Sequence, residues 1–236
     1  MSLESRTRRC PDTAGLPAMQ PEQRAARARA YESRRPEVLA LVPPGVRRVL
    51  DVGCATGELA RALKQRGDVE VVGVEREPVY AAEARKHCDR VIEGDAEVIA
   101  AGDLGRFDCL VAADVLEHLV DPWRALDRYA AMLEPGCRAV VSLPNAAHWT
   151  TFARLAGGRW PRLEEGIHDA THLRWFTLRD AIELLEGAGL RVEEVIRRPW
   201  VLWRGTRLDR HAEALMRVPV ARAAFAFQHL LGARRV

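Results

Sequence analysis

The stretch VLDVGCATG at residues 49–57 combines a short apolar run with a turn that contains two glycines. The apolar residues predict a buried strand, and the glycines predict a tight turn that leads into a helix. In open α/β sheets, ligands bind beside such turns at the carboxyl ends of the strands. These nine residues therefore predict both an α/β fold and the position of its ligand site.

Apolar strands alternate with amphipathic helices on both sides of this stretch. The predicted strands are Val46–Val52, Val69–Val74, Val91–Ile92, Phe107–Ala112, Arg138–Leu143, Arg191–Ile196 and Phe225–Ala233. The predicted helices are residues 21–40, Glu58–Gln65, Pro78–His87, Asp121–Leu133 and one capped by Thr177 that ends near Gly187. Because the first strands are almost continuously apolar, this order indicates a mostly parallel sheet with helices on both faces.

The 236 residues suit one domain of this type. Residues 1–20 have mixed polarity and several turn formers, so we expect a disordered tail there. Residues 21–236 are expected to form the domain. The alternation of strands and helices breaks between about 145 and 176, where Trp, His, Gly and charged residues are frequent. We expect a lid-like insertion at this point.

Composition excludes several classes of protein. The chain is 48% hydrophobic and 29% charged, as in globular domains, and no apolar run approaches the roughly 20 residues of a membrane span. The N-terminus lacks the apolar segment of a secretory signal. The five cysteines form no CxxC pair, so we interpret them as reduced core residues. We expect a cytoplasmic protein without a membrane partner.

The spacing of the glycines bears on the identity of the ligand. A dinucleotide fingerprint has the pattern G-x-G-x-x-G and seats a pyrophosphate on the helix N-terminus. Here three residues separate Gly53 from Gly57, and Asp51 stands two residues before Gly53. A carboxylate there would repel a pyrophosphate but suits a ligand with an ammonium and a sulfonium. The loop therefore favours S-adenosylmethionine (SAM) over a nicotinamide dinucleotide.

Two more acidic residues end the next strands. Glu75 closes the second strand, from which an acid hydrogen-bonds a ribose diol in α/β sheets. Asp95 and Ala96 follow the third strand, where an aspartate can accept a hydrogen bond from an adenine amino group. Each acid alone is commonly a solvated strand-end residue. Three acids at consecutive strand ends make a nucleoside ligand the better interpretation.

These segments together resemble class I SAM-dependent methyltransferases. Residues 49–57 resemble motif I of that family, although Ala55 stands where glycine is usual. The stretch DVLEHL at 114–119 resembles the segment after strand 4, and LEPGC at 133–137 resembles the turn into strand 5, with Cys137 replacing a glycine. The resemblance implies a Rossmann-like fold with a mostly parallel seven-stranded sheet, SAM as cofactor and S-adenosylhomocysteine (SAH) as product.

The resemblance also implies which residues contact the cofactor. They are Tyr31, Arg35, Asp51, Gly53, Cys54, Ala55, Gly57, Glu75, Arg76, Asp95, Ala96, Asp114, Val115 and His118. Tyr31 and Arg35 would form a flap over the methionine end of SAM. The alternative for these two is an ordinary amphipathic helix that covers the edge of the sheet.

Histidines in and beside the insertion are candidates for a general base. Methyl transfer is an in-line displacement at carbon, so alignment of the reactants is the main requirement. A hydroxyl acceptor also benefits from a base, and histidine suits this role near neutral pH. The candidates are His148, His168 and His172. We favour His172, because it lies at the end of the insertion, beside the carboxyl ends of the strands.

The same region contains a possible metal site. Asp114, Glu117, His118 and His172 supply two oxygen and two nitrogen ligands, and magnesium is the ion we consider. This set resembles the divalent-ion sites of ubiquinone-type and small-RNA 2′-O-methyltransferases. Asp114 replaces the first glutamate of that pattern and has a shorter reach. The alternative is a histidine that packs near SAM with no metal.

The patterns PNxxH at 144–148 and DxTHLRxFT at 169–177 resemble bacterial methyltransferases of ubiquinone, polysaccharide and natural-product pathways. This implies O-methylation of a small molecule or a sugar-like natural product. The alternatives are N-methylation of an amine, as on an amino sugar or peptide, and, with less support, 2′-O-methylation of RNA. A nucleic-acid partner is disfavoured because the net charge is only +3. A homodimer is compatible with the sequence.

Overall fold

The computed structural model describes residues 35–99, 104–199 and 219–236. Seven strands in this part of the chain form one sheet. They are β1 (Arg48–Val52), β2 (Glu70–Glu75), β3 (Arg90–Glu93), β4 (Phe107–Ala113), β5 (Leu133–Pro144), β6 (Leu190–Pro199) and β7 (Ala226–Arg235). Their order across the sheet is β3-β2-β1-β4-β5-β7-β6. The predicted seven-stranded α/β fold is confirmed.

The sheet is parallel from β3 to β5, and β7 is the exception. This strand runs antiparallel to both β5 and β6. Its N-terminal end therefore lies beside the carboxyl end of β5, with Gln228 opposite Pro144 and His229 opposite Leu143. As a result, residues from the end of the chain reach the edge of the sheet at which β1, β2 and β4 end.

Short helices cover the sheet. They are α1 (Pro36–Leu41), α2 (Glu58–Lys64), α3 (Pro78–Ala84), α4 (Pro122–Ala130), α5 (Trp149–Ala156), α6 (Leu178–Gly187) and α7 (Pro219–Phe225), with a 3₁₀ turn at Leu116–His118. Proline begins α1, α3 and α4, where its fixed φ suits the first turn. The predicted capping box of Thr177 and Asp180 is confirmed at α6.

Alternate residues of the central strands pack into two separate cores. Leu50 belongs to the core that contains Leu126 of α4 and Leu184 of α6. Val49 belongs to the core on the other side, with Val38 of α1 and Leu63 of α2. Both faces of the sheet are thus buried, which explains why its central strands read as continuous apolar runs.

The predicted helix over residues 21–40 is wrong at Arg35. This residue has a φ of 40° in the left-handed region, so it caps α1 and cannot continue a right-handed helix. Residues 21–34, including Tyr31, lie outside the described residues, as does the predicted tail at 1–20. The expectation of a single domain stays a prediction.

The segment between β5 and α6 departs from the sheet and returns over the end of β4. It contains α5 and an irregular stretch, and an isolated bridge pairs Asn145 with Phe176 at its two ends. The amides of Leu173 and Arg174 donate to the carbonyl oxygen of Glu117, at 2.8 and 3.0 Å. This pair of bonds fixes the returning chain above the 3₁₀ turn. We call residues 145–176 the lid segment.

The capping box gives a stability prediction. Thr177→Ala removes the hydroxyl that binds the Asp180 amide, so urea unfolding should show a loss of about 1 kcal/mol in the free energy of unfolding. Thr177→Ser retains the hydroxyl and is the matched control, with less than half of that loss. Equal losses in the two variants would show that the cap does not stabilise the fold.

Candidate active site

The loop between β1 and α2 requires glycine at two positions. Gly53 has a φ of 76°, and a Cβ atom there would lie 2.9 Å from Cγ2 of Val115. Gly57 has a φ of 79°, and its Cβ would lie 3.0 Å from Cα of Ala84. Ala55 is also left-handed, with a φ of 48°. This explains why glycine is usual at the position that Ala55 occupies.

Glu75 supports this loop from the end of β2. One carboxylate oxygen accepts from the amide of Ala55 at 2.9 Å, and the other accepts from the amide of Glu77 at 2.8 Å. Burial raises the pKa of Glu75 although these backbone bonds oppose the shift. Each oxygen retains lone-pair capacity for a further donor. Glu75 can therefore hold the loop and still bind a ligand hydroxyl.

Asp51 lies within β1 and is only 3% exposed. Burial raises the pKa of Asp51 to about 7, the positive charge of Arg35 lowers it, and the negative charge of Glu75 raises it. Near neutral pH this carboxyl group is therefore poised between its protonated and ionised forms. A cation bound beside it would favour the ionised form.

Four further predicted cofactor residues lie near the carboxyl ends of β1, β2 and β3. Asp95 binds the amide of Glu97 at 2.8 Å, and the carbonyl oxygen of Ala96 accepts from the hydroxyl of Tyr129 at 2.8 Å. Arg76 is exposed next to Glu75. Cys54 differs from the others because its thiol points into the sheet, where a Cβ on Gly73 would lie 2.6 Å from it. Only the backbone of Cys54 can face a ligand.

The thiols of Cys54, Cys88, Cys109 and Cys137 are free, and the first three are buried. This agrees with the interpretation of these cysteines as reduced. Cys10 lies outside the described residues.

Asp114 lies apart from the other predicted metal ligands. It has a φ of 53°, and the 3₁₀ turn begins only at Leu116, so Asp114 and Glu117 do not share a helical face. Its carboxylate instead binds Arg35 at 2.7 Å, Ser142 at 2.7 Å and Gln228 at 2.6 Å. Burial would raise the pKa of Asp114, but Arg35 and these hydrogen bonds outweigh it and lower the pKa.

Ser142 and Gln228 were not among the predicted site residues. Both lie in strands in which the adjacent residues are apolar, and that pattern predicted only core packing for these strands. Gln228 is 114 residues beyond Asp114, and no spacing rule relates residues that meet through an antiparallel strand at the end of the chain.

Glu117, His118 and His172 come together, with one potential ligand atom of each lying within 4.8 Å of the others. Glu117 is 1% exposed, and neither of its carboxylate oxygens has a hydrogen-bond partner among the described residues. Burial raises the pKa of Glu117 well above its ordinary value, and the negative charge of Asp114 adds to the shift. A buried carboxylate without hydrogen bonds is costly and calls for a cation or a proton.

The tautomers of His118 and His172 follow from their neighbours. Nδ1 of His172 lies 3.0 Å from the carbonyl oxygen of Ile167, and Nδ1 of His118 lies 3.2 Å from that of Thr171. A carbonyl oxygen only accepts, so in both rings Nδ1 carries a proton, and in the neutral imidazole Nε2 is the basic nitrogen. Nε2 of His172 lies 3.9 Å from Oε1 of Glu117. This arrangement suits either proton acceptance or metal ligation.

His148 and His168 have the opposite tautomer. Nδ1 of His148 lies 2.8 Å from the hydroxyl oxygen of Thr150 and 3.4 Å from the amide nitrogen of the same residue. A guanidinium nitrogen of Arg154 lies 2.7 Å from Nδ1 of His168. An amide and a guanidinium only donate, so Nδ1 accepts in both rings and Nε2 carries the proton. In the neutral form these two histidines carry their proton on Nε2, and their predicted role as general bases stays a prediction. The sequence predicted the three histidines but not their different tautomers.

The contact between Gly53 and Val115 connects the two halves of the site. Val115 lies two residues before Glu117, so the loop after β1 and the 3₁₀ turn after β4 lie side by side. A ligand against the loop would therefore extend toward Glu117 and His172. The model of a methyltransferase domain family matches residues 22–195 of the chain.

The chain belongs to the methyltransferase domain family.

Sequence relatives agree with this assignment. The methyltransferase is 30% identical over 171 residues to the ubiquinone biosynthesis O-methyltransferase of Xylella fastidiosa, covering 69% of this chain and 68% of the relative. It is 37% identical over 131 residues to the enzyme of that name from Bradyrhizobium diazoefficiens, covering 52% of this chain and 50% of the relative. The alignments thus span about half to two thirds of the length of these relatives.

Solved structures share the fold. The magnesium protoporphyrin IX methyltransferase of Synechocystis PCC 6803, solved with bound SAH, superposes with a TM-score of 0.59 at 18% identity. The superposition covers 94% of this chain and 90% of that chain. The expected Rossmann-like methyltransferase fold is confirmed, and membership of the family confirms SAM as the class of cofactor. Among the described helices of the methyltransferase, none is long and apolar enough to cross a membrane.

The loop gives a second stability prediction. Gly53→Ala forces a Cβ both into the left-handed region and against Val115, whereas Gly136→Ala, at a φ of 79° with no atom within 4 Å, is strained only by its conformation. Gly136→Ala should lower the free energy of unfolding by about 1 kcal/mol, and Gly53→Ala should lower it further. We would measure both by urea unfolding without cofactor. A smaller loss for Gly53→Ala would contradict the close contact with Val115.

Proposed function

We propose that this methyltransferase transfers the methyl group of SAM to a hydroxyl oxygen of a small molecule, with His172 as general base. The observation that carries the proposal is the position of His172. Its Nε2 atom lies 3.9 Å from Oε1 of the buried Glu117, which is on the turn that adjoins the proposed cofactor loop. A base with this setting is needed by a hydroxyl acceptor more than by an amine.

The cofactor would lie across the carboxyl ends of β1, β2 and β3. Asp51 would bind the ammonium of the methionine part, Glu75 the ribose hydroxyls and Asp95 the adenine amino group. The backbone of Gly53, Ala55 and Gly57 would allow close approach of the ligand.

Proton transfer would accompany methyl transfer. Bound SAM would supply the methyl group: the acceptor oxygen would form the new bond to the methyl carbon as the carbon–sulfur bond breaks, and SAH would leave as a neutral thioether. The hydroxyl proton passes to Nε2 of His172. The carbonyl of Ile167 accepts from Nδ1, so the transferred proton would go to Nε2, and an ionised Glu117 would stabilise the resulting imidazolium.

A divalent metal site is a second candidate role for the same residues. The Glu117 carboxylate has no hydrogen-bond partner in the part of the chain that the structure describes, and Nδ1 of both imidazoles carries a proton. Both features fit a site made of Glu117, His118 and His172. Asp114 would not be a ligand of this metal site, because its carboxylate already binds Arg35 and Gln228. Two imidazoles and one carboxylate suit a transition metal better than magnesium. Such an ion would act as a Lewis acid on the acceptor hydroxyl.

The names of the sequence relatives support a class of acceptor. Their name as O-methyltransferases supports oxygen as the methylated atom, and we propose a phenolic or sugar-like natural product. The alternatives are an amine, which would not need His172 as a base, and the 2′-hydroxyl of RNA. We retain the cytoplasmic location and the possible homodimer as proposals.

Binding of SAH should depend on pH through Asp51. The pKa of Asp51 is raised to about 7, and only its ionised form attracts the ligand ammonium. Affinity should therefore be complete above pH 7 and fall by about tenfold per pH unit between pH 7 and 5. Calorimetric titration of SAH would measure it. Asp51→Asn should bind weakly at every pH without this slope; a slope that survives in Asp51→Asn would assign it to another group.

Replacing His172 should affect turnover and spare the cofactor. His172→Ala should lower kcat by about 10²- to 10⁴-fold, with the SAH affinity within about twofold of the unaltered enzyme. Turnover would be followed as SAH release with a phenolic acceptor. Sensitivity of the unaltered enzyme to EDTA, restored by manganese, would favour the metal role, and insensitivity would favour the base. Full turnover in His172→Ala would exclude both roles.

A further inference from the structure

Gln228 joins two ion pairs at the edge where the parallel strands end. Its side-chain nitrogen donates to both carboxylate oxygens of Asp114, at 2.6 and 2.8 Å. Its side-chain oxygen accepts from Nη1 of Arg198 at 3.0 Å. A guanidinium only donates and an ionised carboxylate only accepts, so these two partners fix the orientation of the amide. Gln228 is buried, and each end of its amide group binds a charged side chain.

Both ion pairs lead to the start of α1. The carboxylate of Asp114 binds Arg35 at 2.7 Å, and Nη1 of Arg198 binds the carboxylate of Glu37 at 2.6 Å. Arg35 caps α1, and Glu37 lies in its first turn. Together with the two contacts of Gln228, these bonds form a closed ring that begins and ends two residues apart in the chain.

The position of Gln228 on β7 makes this ring possible. Side chains alternate between the two faces of a strand, so Gln228 and Leu230 lie on one face. Leu230 packs in the core that contains Val38 of α1, which places Gln228 on the side of the sheet that α1 covers. Because β7 is antiparallel to β5, Gln228 also lies opposite Pro144 at the end of β5. The ring therefore depends on the last strand.

The backbone of Arg35 has a conformation that needs support. Its φ of 40° lies in the left-handed region, which is unfavourable for a residue with a side chain. The amides of Val38 and Leu39 both donate to its carbonyl oxygen at 3.0 Å. These bonds fix the backbone of Arg35, and the ring fixes its guanidinium. Residues held in such conformations are frequent at functional sites.

The guanidinium of Arg35 acts on the proposed methionine end of the cofactor site. Its positive charge lowers the pKa of Asp51, whereas burial and the negative charge of Glu75 raise it. Asp51 is the carboxyl group that would bind the ammonium of SAM. A guanidinium near this group can bind the carboxylate of the same methionine part. The placement of Arg35 should therefore affect the affinity for the cofactor.

We propose that Gln228 is a positioning residue for the cofactor, which holds the guanidinium of Arg35 through Asp114. Its second contact, with Arg198, holds the start of α1. The inference rests on the proposed function, in which the methionine part of SAM lies at Asp51. Gln228 itself would not touch the cofactor, because both ends of its amide group bind side chains of the ring.

The test is calorimetric titration of SAH into the full chain and its variants at pH 8. Gln228→Met keeps the length of the side chain without its hydrogen bonds. It should weaken SAH binding about tenfold, the lower end of the cost of losing a partner behind a ligand. Arg234→Gln breaks an ion pair with Glu193 at the other end of β7. This matched control should bind SAH within about twofold of the unaltered protein.

Two further measurements separate positioning from a general loss of structure. In an Arg35→Met background, Gln228→Met should weaken SAH binding less than about twofold further, because it acts through Arg35. The pH midpoint of SAH binding should move upward in Gln228→Met, because a displaced Arg35 no longer lowers the pKa of Asp51. Glu75, which also acts on Asp51, is the same in all variants.

The outcomes decide as follows. An unchanged SAH affinity or pH midpoint in Gln228→Met, or an equal loss with and without Arg35, would overturn the inference. Full SAH affinity in Arg35→Met would do the same. If Gln228→Met does not fold, as judged by circular dichroism, Arg198→Met decides: a loss of affinity that requires Arg35 supports the inference, and any other result refutes it. Absence of SAH binding by the unaltered protein would overturn the proposed cofactor site, and the inference with it.

Discussion

Four buried or half-buried carboxyl groups lie at one edge of the sheet, and the arrangement of the site depends on how each is compensated. Glu75 accepts backbone amides from the loop, and Asp114 binds Arg35, Ser142 and Gln228. Asp51 has the more distant positive charge of Arg35, and Glu117 has no hydrogen bond to its carboxylate among the described residues. Because burial penalises an uncompensated charge, Asp51 and Glu117 are the groups with capacity for a bound cation.

The two pairs of carboxyl groups at this edge of the sheet therefore have different roles. The compensated pair, Glu75 and Asp114, maintains the loop and the ends of β4, β5 and β7. In the proposed reaction the poorly compensated pair would have different partners: Asp51 would face the methionine part of SAM and Glu117 would face the acceptor. The contact between Gly53 and Val115 keeps these two parts of the site adjacent.

The sequence was sufficient to predict the fold because its signals are local. Apolar strands, the glycine turn at Gly53 and the capping box at Thr177 each depend on a few consecutive residues, and all three agree with the structure. The site was predicted in part. Acidic strand ends follow from the same local pattern, but the left-handed φ of Asp114, just before the 3₁₀ turn at Leu116–His118, does not. The histidine tautomers depend on partners such as Arg154, which the spacing of residues does not encode.

The antiparallel placement of β7 has a consequence for the order in which the molecule is completed. In the described sheet β6 pairs only with β7, and Asp114 receives Gln228 from β7, 114 residues later in the chain. Contacts of such sequence separation form late and slowly, since a long loop must close first. During synthesis β1 to β4 can assemble while the ribosome still holds the last strand. Until residue 228 emerges, Asp114 lacks one of its partners and β6 remains an unpaired edge, exposed to association with other chains.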